Sequence, residues 1–274
     1  MCGAGTMGSG IAQVAAQSGF PVILFDVSEA MLIKAQSSVQ INLQKLLAKQ
    51  KITPAQKEEI LQHIVFTSNI NECTADIIIE AVVEKKEIKQ QLFDSLALIN
   101  KADTIFATNT SSISVSELSA DKNYAERFAG MHFFNPAPIM KLVEIIRAAK
   151  TTEAVIQILT ELAKQFGKTP VVCNDAPGFI VNRIARHYYL EAMQLAEEGV
   201  ADVETIDAAM EASGFKMGPF KLMDLIGLDI NYSVSNIVWE ALNKPERLKP
   251  SSIQKNKVAA NELGRKTGKG FYQY

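Results

Sequence analysis

Gly3-Ala4-Gly5-Thr6-Met7-Gly8, then a mostly apolar stretch over 11–17, Gly19, Pro21, the run Val22-Ile23-Leu24-Phe25 and finally Asp26, decide how this chain folds. Glycines spaced G-x-G-x-x-G supply, in order, a tight turn, a close approach for a bound pyrophosphate and a tight contact between helix and strand. The helix that follows turns its N-terminal amides and positive dipole end toward those phosphates. Alone the motif is weak, because glycine-rich turns also arise for purely conformational reasons. Its context is stronger: Gly19 closes the helix, 21–25 forms a strand, and Asp26 stands at the strand's tip, where an acidic group meets the hydroxyls of an adenosine ribose. Such a carboxylate repels a 2′-phosphate, so NAD is expected rather than NADP. One feature is out of order. A β-strand is needed directly ahead of Gly3, as the central strand of the sheet, and only Met1 and Cys2 stand there. The expectation is that the chain begins late and that roughly six to ten apolar, β-branched residues belong upstream.

Outward from this unit, short β-rich runs alternate with helical stretches, the pattern of a parallel sheet covered by helices on both faces. Ser28 is an N-cap candidate for a helix over 29–49, and Thr53, Pro54 and Gln56 begin another with a capping box and a proline at the first helical position. The runs over 76–82, 104–108 and 128–133 are apolar enough for buried strands. A helix over 152–166 closes at Gly167, and 169–173 is a last strand. After Asn174-Asp175-Ala176-Pro177-Gly178 the strand-like runs stop and helices follow, punctuated by glycine and proline. The expected fold is therefore an α/β Rossmann-type dinucleotide-binding domain over 1–176, its first strand not evident in the chain, and an all-helical C-terminal domain over 177–274. Apolar residues on stretches such as 180–195 exceed what one small core absorbs, which points to a homodimer built through the helical domain.

The 274 residues carry 28 Lys and Arg against 30 Asp and Glu, interspersed, so no basic stripe suits nucleic acid. No apolar run reaches the ~18 residues of a spanning helix. Cys2, Cys73 and Cys173 are odd in number and far apart, with no metal-ligand spacing, as in a chain kept in a reducing compartment without a structural metal.

A lone histidine is usually structural, and His63 and His187 carry no further signal. His132 ends the apolar strand Phe128-Ala129-Gly130-Met131-His132-Phe133 and is followed by Phe134-Asn135-Pro136, an exit on the ligand-binding edge of such sheets. Twelve residues later Glu144 sits inside Leu142-Val143-Glu144-Ile145-Ile146, where a carboxylate needs a reason; an imidazole partner is one.

Together with Glu80-Ala81-Val82-Val83-Glu84, Asn109-Thr110-Ser111-Ser112, Pro177-Gly178-Phe179-Ile180-Val181-Asn182-Arg183, Met217-Gly218-Pro219-Phe220 and the terminal Arg265-Lys266-Thr267-Gly268-Lys269-Gly270-Phe271-Tyr272, these segments resemble the 3-hydroxyacyl-CoA dehydrogenase family over essentially the whole chain. The resemblance implies reversible oxidation of an (S)-3-hydroxyacyl-CoA, 3-hydroxybutyryl-CoA in the form it is most similar to, with hydride passing to NAD. His132 is then the general acid/base, Glu144 orients it, and Ser111 and Asn182 bond substrate oxygens and the histidine in a cleft between the domains. Cofactor contacts are implied for Gly3, Gly5, Thr6, Met7, Gly8, Asp26, Glu84, Lys89, Ser111, Asn135 and Lys266, and no metal is required. A solvated helix face is the alternative for Lys89 and a flexible tail for Lys266. Coenzyme A brings phosphates, for which Lys34, Lys45 and above all Lys49 are candidates; Asn42 departs from the family's pattern beside them. A gulonate-type hydroxy-acid dehydrogenase is the nearest alternative. A non-catalytic dinucleotide binder or a lens-crystallin-like relative is the other, and the intact set Ser111, His132, Glu144 and Asn182 argues against it.

Overall fold

A computed structural model describes residues 1–274, and they divide into two compact units, Met1–Asp175 and Ala176–Tyr274. The first begins with α1 (Thr6–Gln17), β1 (Val22–Phe25) and α2 (Glu29–Ala48), the last capped by the Ser28 hydroxyl accepting from the Met31 N–H. The reciprocal bonds of Thr53 and Gln56 complete the expected capping box at the start of α3 (Pro54–Gln62). There follow β2 (Ile64–Thr67), β3 (Ile77–Glu80), α4 (Lys86–Ile99), β4 (Ile105–Thr108), α5 (Val115–Ser119), β5 (Phe128–Phe133), β6 (Leu142–Arg147), α6 (Glu153–Gln165) and β7 (Thr169–Asn174).

β1 and β2 pair in parallel, and β3 to β7 form a sheet in that order. Cys2 joins the two parts, bridging Phe25 on one side and Glu80 on the other, both in parallel. Its register continues along the sheet: Glu80 lies opposite Thr108, and Thr108 opposite Gly130. The sheet is not wholly parallel, as the alternation of strands and helices suggested. β6 runs antiparallel to β5 because only 134–141 connects them, too short for a crossover.

Alternation along β5 sends Ala129, Met131 and Phe133 into a core shared with α1 and α6. Phe128 faces the other way, its ring 4.8 Å from that of Phe93 on α4, and His132 shares that face. In the second unit α7 (Val181–Glu197), α8 (Val203–Ala212), α9 (Pro219–Ile226), α10 (Leu228–Ala241) and α11 (Ser252–Ala259) enclose Met193, Phe220, Met223, Leu228 and Val238. Buried Asp224 gathers the terminal segment, accepting from the Phe271 and Tyr272 N–H groups and the Tyr274 hydroxyl. Arg186 is buried on α7 with neutral acceptors, Asn231 O and Ser235 Oγ, and burial pulls its guanidinium down to about 10.

Between β1 and β3, beyond Met1, lies a cavity of about 660 Å³ lined by Ile11, Ala15, Ile23, Cys73, Ile77 and Phe166 among others. Cys2 N–H donates to Ile79 O, Phe25 N–H to Met1 O and the Met1 ammonium to Ile23 O, so both strand edges turn peptide groups toward this space. Counted back from Cys2, the register pairs Met1 with Leu24 and Ile79, and two further positions reach Val22 and Ile77, the first residues of both strands. A Val/Ile-rich segment fused ahead of Met1 is therefore expected to raise the thermal midpoint by about 5 °C or more over a Gly/Ser segment of equal length. Equal midpoints in a melting comparison would mean that the cavity does not take a strand.

Candidate active site

The glycine loop follows Cys2 directly, and each glycine answers a different contact. Gly3 has φ +97°, and a Cβ there would lie 2.6 Å from Ala81 O. A Cβ on Gly8 would overlap Gly3 O, so α1 starts hard against the turn. Around Gly5 there is open space, on the side where a pyrophosphate needs to approach the backbone. No side chain caps α1 and its first turn holds no acid, which leaves its N-terminal amides and dipole suited to an anion. Asp26 follows β1 and grips the loop: its carboxylate accepts from Ala4 N–H at 2.8 Å and Ser28 N–H at 2.9 Å. Thr6 and Met7 lie in the first turn of α1. These residues fit a dinucleotide, and the fit is one of backbone shape.

Next along the same edge, Glu84, Lys89 and Ser111 come together. Glu84 accepts from Thr110 Oγ1 at 2.5 Å, Ser111 N–H at 3.1 Å and Ser112 Oγ at 3.0 Å, and pairs with Lys89 at 3.2 Å. Burial pushes its carboxyl upward, but the Lys89 ammonium and the Thr110 and Ser112 hydroxyls outweigh that and hold it below the ordinary glutamate range. Lys89, expected either as a cofactor contact or as a solvated helix residue, is 1 % exposed and gives its ammonium to Glu80 at 2.6 Å. Asn109 ties the Ser111 loop to β5, accepting from Phe133 N–H at 2.8 Å.

His132 and Glu144 stand directly opposite each other in the β5/β6 register, with Nδ1 2.8 Å from Oε2. Both are buried, at 5 % and 1 % exposed, and the Phe134 ring lies 4.6 Å from the imidazole. A carboxylate only accepts, so Nδ1 carries the proton toward Glu144 and Nε2 is the basic nitrogen. The pair can exchange one proton with a substrate hydroxyl while the charge that develops on the ring is matched.

Asn135 is exposed just past β5. Lys49 is exposed at the C-terminal end of α2, about 30 Å along that helix from Ser28; Lys34 and Lys45 are exposed on the same helix, and the Asn42 amide donates to Gln13. In the second unit, Asn182 is in the first turn of α7 with its carbonyl accepting from Arg186 Nε, and the Lys266 ammonium pairs with Asp229 at 2.5 Å. Glu80, Asn109 and Thr110 stand in segments that carry the family resemblance, but no role at the site was expected of them. An acid ending the run Ile77-Ile78-Ile79 was the available signal for the first; nothing in residue type alone marks the other two.

A G-x-G-x-x-G turn before an uncapped helix, an acid at the next strand tip and a buried His–Glu pair on the same sheet define an NAD-dependent oxidoreductase. Comparison with known proteins narrows this. Residues 1–176 match the family model "3-hydroxyacyl-CoA dehydrogenase, NAD binding domain" and residues 178–274 that of the C-terminal domain. The chain belongs to the 3-hydroxyacyl-CoA dehydrogenase family. It is 43 % identical to the 3-hydroxyadipyl-CoA dehydrogenase of Escherichia coli K12 over 99 % of its own length, and spans 58 % of that relative. It is 41 % identical to the 3-hydroxybutyryl-CoA dehydrogenase of Bradyrhizobium diazoefficiens, covering 99 % of this chain and 93 % of the other. Among solved structures, the (S)-3-hydroxybutyryl-CoA dehydrogenase of Ralstonia eutropha superposes with a TM-score of 0.95 at 39 % identity, over 100 % of this chain and 97 % of that one.

The contrast between two glycines tests the loop. Gly5→Ala is expected to unfold within about 0.5 kcal/mol of the parent, since its Cβ meets no atom, yet to weaken NADH binding at least about tenfold by crowding the pyrophosphate. Gly8→Ala is expected to lose stability itself. Titration of NADH fluorescence beside denaturant unfolding separates the two, and unchanged NADH affinity in Gly5→Ala would remove the loop from the cofactor site.

Proposed function

We propose that this protein interconverts (S)-3-hydroxyacyl-CoA and 3-oxoacyl-CoA thioesters, with four-carbon 3-hydroxybutyryl-CoA as the principal substrate, a step of fatty-acid and butanoate metabolism. The observation that carries it is the His132–Glu144 pair at the end of β5, on the sheet edge that bears the dinucleotide loop. The names of the relatives support the thioester class. NAD, when bound, supplies the nicotinamide that takes the hydride from C3 or returns it. His132 Nε2 takes the C3 hydroxyl proton in oxidation and gives it back in reduction. Glu144 keeps the proton on Nδ1 and balances the imidazolium. The Ser111 loop, held by Glu84 and Asn109, sets the carbonyl end of the acyl group, and Asn182 belongs to the substrate set on the same reading. Asn135 and Lys266 are cofactor contacts in this proposal, and Lys49 a contact for coenzyme A phosphate.

We also propose a homodimer formed through the helical unit, where Ile184, Leu225 and Ile230 are exposed at 67 %, 49 % and 51 %. Light scattering at micromolar concentration is expected to give twice the 30.0 kDa chain mass, and a single-chain mass would rule this out.

With acetoacetyl-CoA, NADH oxidation followed by absorbance is expected to turn over robustly, and far faster than with acetoacetate. His132→Gln is expected to lower kcat by about 10³-fold while NADH affinity stays within about twofold. Turnover of free 3-oxo acids with none of the thioester would favour the gulonate-type reaction. Loss of NADH binding in His132→Gln would mean that the variant reports folding rather than proton transfer.

A further inference from the structure

Glu80 is fully buried at the end of β3, a carboxyl side chain closing a run of three isoleucines, and burial pushes that carboxyl above the ordinary glutamate range despite the Lys89 ammonium beside it. Such a placement is costly, and a buried ion pair adds little net stability compared with well-packed apolar residues, so stability alone gives it weak justification. Its contacts point in two directions. One carboxylate oxygen accepts from Val82 N–H at 2.6 Å and from the Lys89 ammonium at 2.6 Å, and the other accepts from Thr108 Oγ1 at 2.7 Å.

The first direction leads to the glycine loop. Val82 N–H belongs to the Ala81–Val82 peptide, against which Gly3 packs so closely that a Cβ would lie 2.6 Å from Ala81 O and 2.9 Å from Val82 N. Ala81 N–H donates to Cys2 O at 2.7 Å in the same place. The second leads through Lys89 to Glu84, and through Glu84 to Thr110, Ser111 and Ser112. A third bond, to Thr108, clamps the end of β4 from which that loop departs.

We propose that Glu80 is a positioning residue that sets the dinucleotide loop and the Ser111 loop at once, so that cofactor and acyl group meet in register. It touches neither ligand. It fixes the peptide on which Gly3 rests, and it holds Lys89 in place to orient Glu84. The proposal rests on the cofactor and substrate reading above and adds to it a residue outside the family contacts expected for the site.

The test uses the full chain with Glu80→Gln, which keeps size and one acceptor but removes the charge and cannot accept at both ends. Thr104→Val serves as control: Thr104 is equally buried in the same unit and donates to Ala75 O, away from both loops. Melting, NADH fluorescence titration and steady-state kinetics with acetoacetyl-CoA are measured on each. Both variants are expected to lose a few degrees of melting temperature, while only Glu80→Gln weakens NADH about tenfold and lowers kcat at saturating NADH by a similar factor, within the coupling range of neighbouring groups. NADH affinity and kcat both within twofold of the parent in a folded Glu80→Gln would overturn the proposal, as would equal losses in the control. If Glu80→Gln does not fold, Glu80→Asp carries the same test, since it keeps the charge but draws it back by one methylene. NADH affinity is read without substrate, so a parent that binds NADH but ignores acetoacetyl-CoA would sink the proposed reaction and leave the comparison of affinities to decide on Glu80.

Discussion

Parallel strands in register end side by side, and this constraint assembles the site. Phe25, Cys2, Glu80, Thr108 and Gly130 form one row across the sheet, each paired to its neighbour. One residue beyond that row lie Gly3, Asp26, Ala81 and Asn109, and two beyond it His132. Groups far apart along the chain therefore reach one edge without any loop having to search for them. A slip of one residue at any strand would also turn its side chains to the other face, exchanging His132 for Met131 or Phe133. The hydrophobic alternation that buries Ala129, Met131 and Phe133 against α1 and α6 is thus what aims the imidazole.

The antiparallel strand β6 completes the arrangement. A parallel neighbour would need a crossover and would bring its carboxylate from a distant part of the chain. The short return over 134–141 instead lays Glu144 opposite His132, and the paired side chains need only meet across the ladder. Burial at 1 % makes Glu144 costly unless it is bonded, so the fold and the orientation of the base stabilise the same contact.

Much of this was legible in the residues themselves. The glycine spacing, Asp26 at a strand tip, the capping box at Thr53, and a histidine and a glutamate each interrupting an apolar strand are local signals, and local signals survive folding. The direction of β6 was not legible, because a buried strand reads the same in either orientation. Nor was the fate of Lys89, since helix periodicity places a residue on a face but does not say that a carboxylate waits there. Nor was the Lys266–Asp229 pair, whose partners stand 37 residues apart, beyond the reach of any spacing rule.

The same contrast separates two kinds of charged residue in the first unit. Lys34, Lys45 and Lys49 project into solvent from α2, where their positions are set by one helix and easily altered. Glu80, Lys89 and Glu84 are bonded to one another and, through those bonds, to strands, a helix and two loops. A shape-based cofactor site such as the Gly3 turn has few side chains of its own to hold it open. It depends on the peptide beneath it, and in this chain that peptide is held by a buried carboxyl.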